Sequence, residues 1–229
     1  KDIPRFQGER YSRIIQAAEY LDMPKKILEC TYTTASKRWE PMLNAQNMLR
    51  NYGSVPEDFV HEILLIDFSD PWPREYRNEQ NGDVFPVAPL QFLESHDRSR
   101  LMYIAGATGP LNDAGFDLFN RDMSCWYRLQ PFAVALMTGE GVPLLWQGQE
   151  FGEIYGKDDF GGARVLAARP LHWNYFYEPE GRTLTNLYRR LGQLRRRYSA
   201  LRSRSSYYYN RHSKPEQGLV AYLRSPETA

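Results

Sequence analysis

The sequence predicts an α/β fold built on a parallel sheet, and three observations carry that prediction. Short apolar runs alternate with helix-patterned stretches, as βα units do. Three of the runs lead, at their C-terminal side, into the acidic residues Glu19, Asp97 and Glu150. Near the end of the chain Leu184, Leu187, Leu191, Leu194 and Tyr198 follow a 3, 4, 3, 4 spacing, which is one face of a helix.

Taken in order, residues 13–21 read as a buried strand that ends on the Glu19 carboxylate. A helix is predicted over 37–51, with Ser36 as its cap and Gly53 as its stop. Residues 54–88 carry Pro56, Pro71, Pro73 and Pro86 and read as loop, with no element assigned. A second strand, 90–95, runs into His96 and Asp97. The pattern at 122–138 predicts a helix kinked by Pro131 and stopped by Gly139 and Gly141. A third buried strand, 142–146, opens onto Gly148, Gln149 and Glu150. After the leucine-striped helix, 205–210 and 218–224 read as strands that begin a separate β unit.

Composition excludes several classes. The chain has 229 residues, 42% of them hydrophobic and 14% aromatic, which is ample for a core and rules out general disorder. Basic and acidic residues number 29 and 28, a balance that argues against a nucleic-acid binder. The stretch 182–204 holds eight arginines and no acid, but they alternate with the leucine stripe, so a solvated outer face is the favoured reading. Cys30 and Cys125 make no CxxC motif and no disulfide framework. His61, His172 and His212 lack metal-ligand spacing. No apolar run approaches the ~20 residues of a membrane span, residues 1–5 lack the core of a signal peptide, and the expected location is cytoplasmic.

The chemistry concentrates in two segments. An imidazole and a carboxylate, His96 and Asp97, stand together at a strand end, where they can hold sugar hydroxyls and face a developing positive charge. About fifty residues on, Gly141-Val142-Pro143-Leu144-Leu145-Trp146-Gln147-Gly148-Gln149-Glu150 forms a strand and turn. The His-Asp pair alone is equally well read as a loop cap, and 141–150 alone reads better as an ordinary strand and turn. Together, with a helix between them, they are far more specific.

In these segments the chain resembles the α-amylase family of retaining α-glucan enzymes. Phe92-Leu93-Glu94-Ser95-His96-Asp97 is similar to that family's aromatic-x-x-Asn-His-Asp motif, with Ser95 where Asn is usual. Residues 141–150 are similar to its Gly-x-Pro…Gly-x-Glu motif, and the likeness continues through Arg164-Val165, Arg169-Pro170, His172-Trp173 and the Leu/Arg helix. The resemblance implies three carboxylates: a nucleophile, a general acid/base and a stabiliser of the transition state. Asp97 matches the stabiliser. Glu19 looks like the acid/base, 78 residues before Asp97, and Glu29, 68 residues before it, is the competitor; Glu19 is preferred because its strand is apolar and uninterrupted. Nothing in residues 1–18 matches the nucleophile segment. His96, Trp146, Glu150 and Trp173 are the expected substrate-binding residues, since sugar rings stack on aromatic faces.

A (β/α)8 barrel needs ~250 residues. The expectation is therefore the C-terminal half of such a barrel over 1–203, followed over 204–229 by the start of an antiparallel β domain. The implied activity is hydrolysis or transfer of α-1,4 (and by extension α-1,6) glucosyl bonds by the parent, with this chain inactive by itself. The rival is a non-catalytic glucan-binding module on the same scaffold. No cofactor is expected in this segment, and calcium is expected only upstream in the parent. The expected partners are an α-glucan and, through exposed sheet edges, the missing barrel half, with neither nucleic acid nor membrane.

Overall fold

The computed structural model describes residues 16–20, 22–31, 33–50, 55–66, 70–79, 82–107, 123–154 and 170–226. Its centre is a four-stranded parallel sheet made of β1 (Ala17–Ala18), β2 (Ala35–Arg38), β5 (Ala88–Phe92) and β6 (Val142–Leu144), in that order across the sheet. Every pairing is parallel: Ala18 lies beside Ser36, Lys37 beside Leu90, and Leu90 beside Val142. Parallel neighbours need crossover connections, and helices supply them. They are α1 (Pro24–Cys30) between β1 and β2, and α2 (Glu40–Arg50) with α3 (Pro56–Ile63) between β2 and β5. A small antiparallel pair, β3 (Glu75–Arg77) and β4 (Val84–Pro86), precedes β5. The next crossover holds α4 (Leu101–Ala107), a 3-10 turn (Met123–Leu129) and α5 (Gln130–Thr138). Beyond β6 come α6 (Asn174–Tyr177) and α7 (Pro179–Arg197), then an antiparallel hairpin of β7 (Ser205–Tyr208) and β8 (Tyr222–Ser225). This is the predicted arrangement, part of a β/α barrel followed by antiparallel strands.

Several local expectations are corrected. Residues 35–38 form a strand, not a helix start with a Ser36 cap: Ser36 is fully buried between Ala18 and Pro89. The helix begins at Glu40. Pro131 does not kink a long helix. It sits in the first turn of α5, where its missing N–H leaves no bond unmade, and the residues before it take the tighter 3-10 form. The stretch 54–88 is not all loop: Pro56 opens α3, whose Phe59, Val60 and Ile63 are buried. Residues 13–15 and 21 of the predicted first strand, Asn51, Gly53 and Asp122 lie outside the described residues. The described part of that strand is not buried: Ala17, Glu19 and Tyr20 are exposed on the outer strand of the four.

The main core fills the space between the sheet and its helices, with Ala45 and Leu49 of α2, Phe59 and Ile63 of α3, Met102 and Ile104 of α4 and Phe132 and Leu136 of α5. Tyr208, Val220 and Tyr222 pack on the same core, so the hairpin is seated against the barrel segment. Its polar tie is Glu140, 5% exposed, which accepts bonds from Ser206 Oγ and Arg204 Nε and lies 3.9 Å from Arg224.

The arginine-rich stretch is only partly the solvated face expected. Arg195 donates to the carbonyls of Met137, Gly139 and Gly141, closing the end of α5. Burial, with the Arg224 and Arg202 charges nearby, lowers its guanidinium to about 10, so it stays charged at neutral pH. Arg202 caps α7 in the same way through the carbonyls of Arg195 and Arg196.

Candidate active site

In a sheet of parallel strands, the residues just past the strand ends share one rim. Glu19 follows β1, His96 and Asp97 follow β5, and the structure brings these three together. Each offers an atom, and the three atoms lie within 4.8 Å of one another. Glu19 and Glu29 are thereby separated: Glu29 is an exposed residue of the helix α1, away from any strand end.

A cation that the sequence did not single out completes the group. Lys37 Nζ is 2.8 Å from Glu19 Oε2 and 6.0 Å from the Phe92 ring centroid. Its signal was strand register. Once Ala18 pairs with Ser36, Glu19 must stand beside Lys37, but residues 35–38 read as a helix start hide this. His96 Nε2 is 3.4 Å from Asp97, and Ser95 Oγ accepts the Asp97 N–H at 3.1 Å. Ser95, in place of the usual Asn, thus acts on the turn itself. Glu19, His96 and Asp97 are the described residues that could jointly reach a cation, although Lys37 already occupies one Glu19 oxygen.

Beyond β6, Trp146 lies with its ring 5.9 Å from that of His96, on the same rim. The two glycines around β6 have backbone reasons. Gly141 has φ +76, and a Cβ there would meet Pro89 O at 2.7 Å. Gly148 has φ +87 and opens the 3-10 turn Gln149–Phe151.

Two further expected substrate residues, Glu150 and Trp173, are not in the group of atoms that converge within 4.8 Å. Burial pushes the Tyr188 phenol up, and the charges of Glu94 and of Glu150, which lies on that 3-10 turn against α7, add to the rise. A strand end followed by a left-handed glycine turns the chain. Trp173 is 61% exposed and packs its ring 5.7 Å from Phe151. Arg164, Val165 and Arg169 lie outside the described residues.

Two buried pairs escaped the sequence reading. Glu94, at a variable position inside the motif, pairs with Arg100 at 2.9 Å. Burial pushes the Glu94 carboxyl up, and the Arg100 charge and the Leu101 N–H oppose that rise. Glu153, 1% exposed, accepts from the His172 N–H and meets His172 Nδ1 at 2.8 Å, joining the start and end of the excursion after β6. A buried carboxylate needs such partners, and only three-dimensional proximity names them.

A cavity of about 1180 Å3 lies at the opposite end of the strands, lined by His61, Trp72, Glu140, Arg204 and Tyr208 among others. None of Glu19, His96 and Asp97 lines it; its walls are the end of α3, residues 71–74, Glu140 before β6 and the hairpin.

No protein-family model matches the chain, and no curated protein matches it in sequence. Solved structures match in fold. An alpha-amylase from H. orenii superposes with a TM-score of 0.56 at 14% identity, covering 93% of this chain and 41% of that one. The cyclic alpha-maltosyl-(1→6)-maltose hydrolase from Arthrobacter globiformis, solved with maltose, gives 0.53 at 16%, covering 84% of this chain and 35% of that one. The type III pullulan hydrolase from Thermococcus kodakarensis gives 0.51 at 20%, covering 86% and 30%. The chain spans well under half the length of these relatives. Its four parallel strands, their crossover helices and the hairpin after them share the fold of the corresponding part of the α-amylase-type enzymes.

Proposed function

We propose that this chain supplies part of the active site of a retaining α-glucan hydrolase or transglycosylase acting on α-1,4 or α-1,6 glucosyl bonds. The observation that carries the reading is the convergence of Glu19, His96 and Asp97 past the ends of two parallel strands. In this reading Glu19 protonates the leaving oxygen and then deprotonates the incoming water or sugar hydroxyl. Asp97 stabilises the oxocarbenium-like centre electrostatically, and His96 donates to a sugar hydroxyl. Trp146 offers an aromatic face to the ring beside them. Lys37 pairs with the Glu19 carboxylate that is left once its proton has gone to the leaving oxygen, until the incoming water or hydroxyl returns one. The nucleophile matches nothing in residues 1–18, and the scheme assigns it to another part of the parent protein. The expected ligand is an α-glucan oligosaccharide.

The test uses the full-length protein that carries this chain and an aryl α-maltooligoside. Glu19→Gln should lose about 10²- to 10⁴-fold on glucan, retain much of its first step on the activated substrate, and recover turnover with azide. Asp97→Asn should lose activity without recovery, and Glu29→Gln should match wild type. Azide rescue of Glu29→Gln in place of Glu19→Gln would overturn the assignment. Glucan binding that survives in all variants with no turnover in wild type would favour the binding-module reading.

A further inference from the structure

The turn that carries His96 and Asp97 is closed by a single buried carboxylate. Glu94, 2% exposed, stands at its start. One Glu94 oxygen accepts from Arg100 Nη1 at 2.9 Å and the other from the Leu101 N–H at 2.9 Å, at the end of the turn. His96 and Asp97 lie at the apex between these tied ends. Arg100, itself 3% exposed, then reaches across to the neighbouring strand end. Its Nη2 donates to Gln147 O at 2.7 Å, and its guanidinium lies 5.6 Å from the Trp146 ring centroid. The same Trp146 ring lies 5.9 Å from His96.

We propose that Glu94 and Arg100 are a positioning pair that sets His96 and Asp97 against the β6 turn. The proposal rests on the active-site reading above only for what the positioned groups do. A purely stabilising role fits the geometry poorly. Taking two ions out of water costs much of what their attraction returns, and a well-packed apolar pair of like volume is often as stable or more so. What an apolar pair lacks is direction. Arg100 presents fixed donors to two partners at once, Glu94 on one side and Gln147 O on the other, with its guanidinium 5.6 Å from the Trp146 ring centroid. The pair thus fixes the separation of β5 turn from β6 turn as well as the shape of the first. A Lys could satisfy Glu94 but not also reach Gln147 O with a second fixed donor.

The experiment compares Glu94→Gln, Arg100→Lys and the double variant in the full-length protein. Each single change should lower kcat by about 10- to 100-fold, the cost of an ångström-scale misplacement. KM should stay within about threefold, because substrate contacts are not removed. The double variant should lose no more than the worse single one, since the two act as a unit. Unchanged kcat per folded molecule, with only a lowered melting temperature, would overturn the proposal. A second readout does not depend on activity. In NMR spectra of the same proteins, the His96 ring signals, which feel the Trp146 ring, should shift in both single variants, while signals of Leu28, Trp72 and Val87 in the separate small core stay in place. Unmoved His96 and Trp146 signals would overturn the proposal even where turnover changes. An inactive wild type whose variants still move those signals would sink the functional reading and leave the positioning pair standing.

Discussion

Two glycines of one helix should respond to the same substitution with opposite sign. Alanine is about 1 kcal/mol better than glycine in a helix interior, so propensity alone makes Gly181→Ala and Gly192→Ala both stabilising. The surroundings differ. A Cβ on Gly192 of α7 would meet only Met137 Cε, at 3.8 Å, an ordinary contact. A Cβ on Gly181 would lie 1.9 Å from the Tyr175 carbonyl oxygen, 2.9 Å from its carbon and 3.3 Å from Phe151 O. These are backbone atoms, so relief requires α7 to move from α6 by about 1 Å or more, the scale at which overpacking costs about 3 kcal/mol. The net expectation is a loss of about 2 kcal/mol for Gly181→Ala and a gain of up to about 1 kcal/mol for Gly192→Ala. Urea unfolding followed by circular dichroism, with m held equal between variants, measures both. A Gly181→Ala protein as stable as wild type would refute the close packing of α7 on α6 and on the turn after β6.

Arg195→Met should cost about 2–4 kcal/mol in the same assay, because three carbonyls at the end of α5 lose a charged donor; Arg195→Lys should restore only part. Alkaline pH should weaken the fold from about pH 10 upward. Burial raises the Tyr188 and Tyr222 phenols above their ordinary value of 10.0, so the folded chain keeps protons that the unfolded chain releases. Their contribution is intact below pH 10 and is lost as pH climbs towards the folded values; absorbance at 295 nm should show these phenols ionising only with unfolding, and an early, non-cooperative titration of every tyrosine would contradict it. Of the two thiols, the exposed Cys30 should react with a thiol reagent in the native state, and the buried Cys125 only after denaturation; two fast equivalents from the native chain would count against the packing of Cys125.

The parallel sheet was legible because apolar runs and leucine spacing follow strand and helix, and at Leu90, Phe92, Leu184 and Leu191 they also report burial. The run 142–146 is a strand as expected but not a buried one, since Val142 and Leu145 are exposed on the outer strand of the four. The strand at 35–38 was not, since Ser36, Lys37 and Arg38 read as polar. All three are held by neighbours distant in sequence: Lys37 by Glu19, Arg38 by the Glu62 carbonyl and carboxylate, and Ser36 by flanking strands. Pro56 and Pro131 were misread for the opposite reason, because a proline that breaks a helix also begins one. At the candidate site, His96 and Asp97 were visible as a motif and Glu19 as a strand end. Lys37, Arg100 and Glu153 had no local signal, because each owes its place to a partner that only the fold brings near.

Strand order across the parallel sheet is also chain order, and that has a consequence for synthesis. As the ribosome delivers β2, β5 and β6 in turn, each finds the edge it needs already made and adds to it. Register partners are 18 residues apart at the first pairing, Ala17 with Ala35, and 53 at the second, Ala35 with Ala88. The longer closure costs only about 1 kcal/mol more, so the large excursion between β2 and β5 hardly slows the addition. The last edge laid down brings Trp146 and Gln147, the groups on which Arg100 closes. His96 and Asp97 therefore emerge about fifty residues before Trp146 and Gln147, so the contacts of Arg100 across to the β6 turn form only after much of the core beneath them is in place.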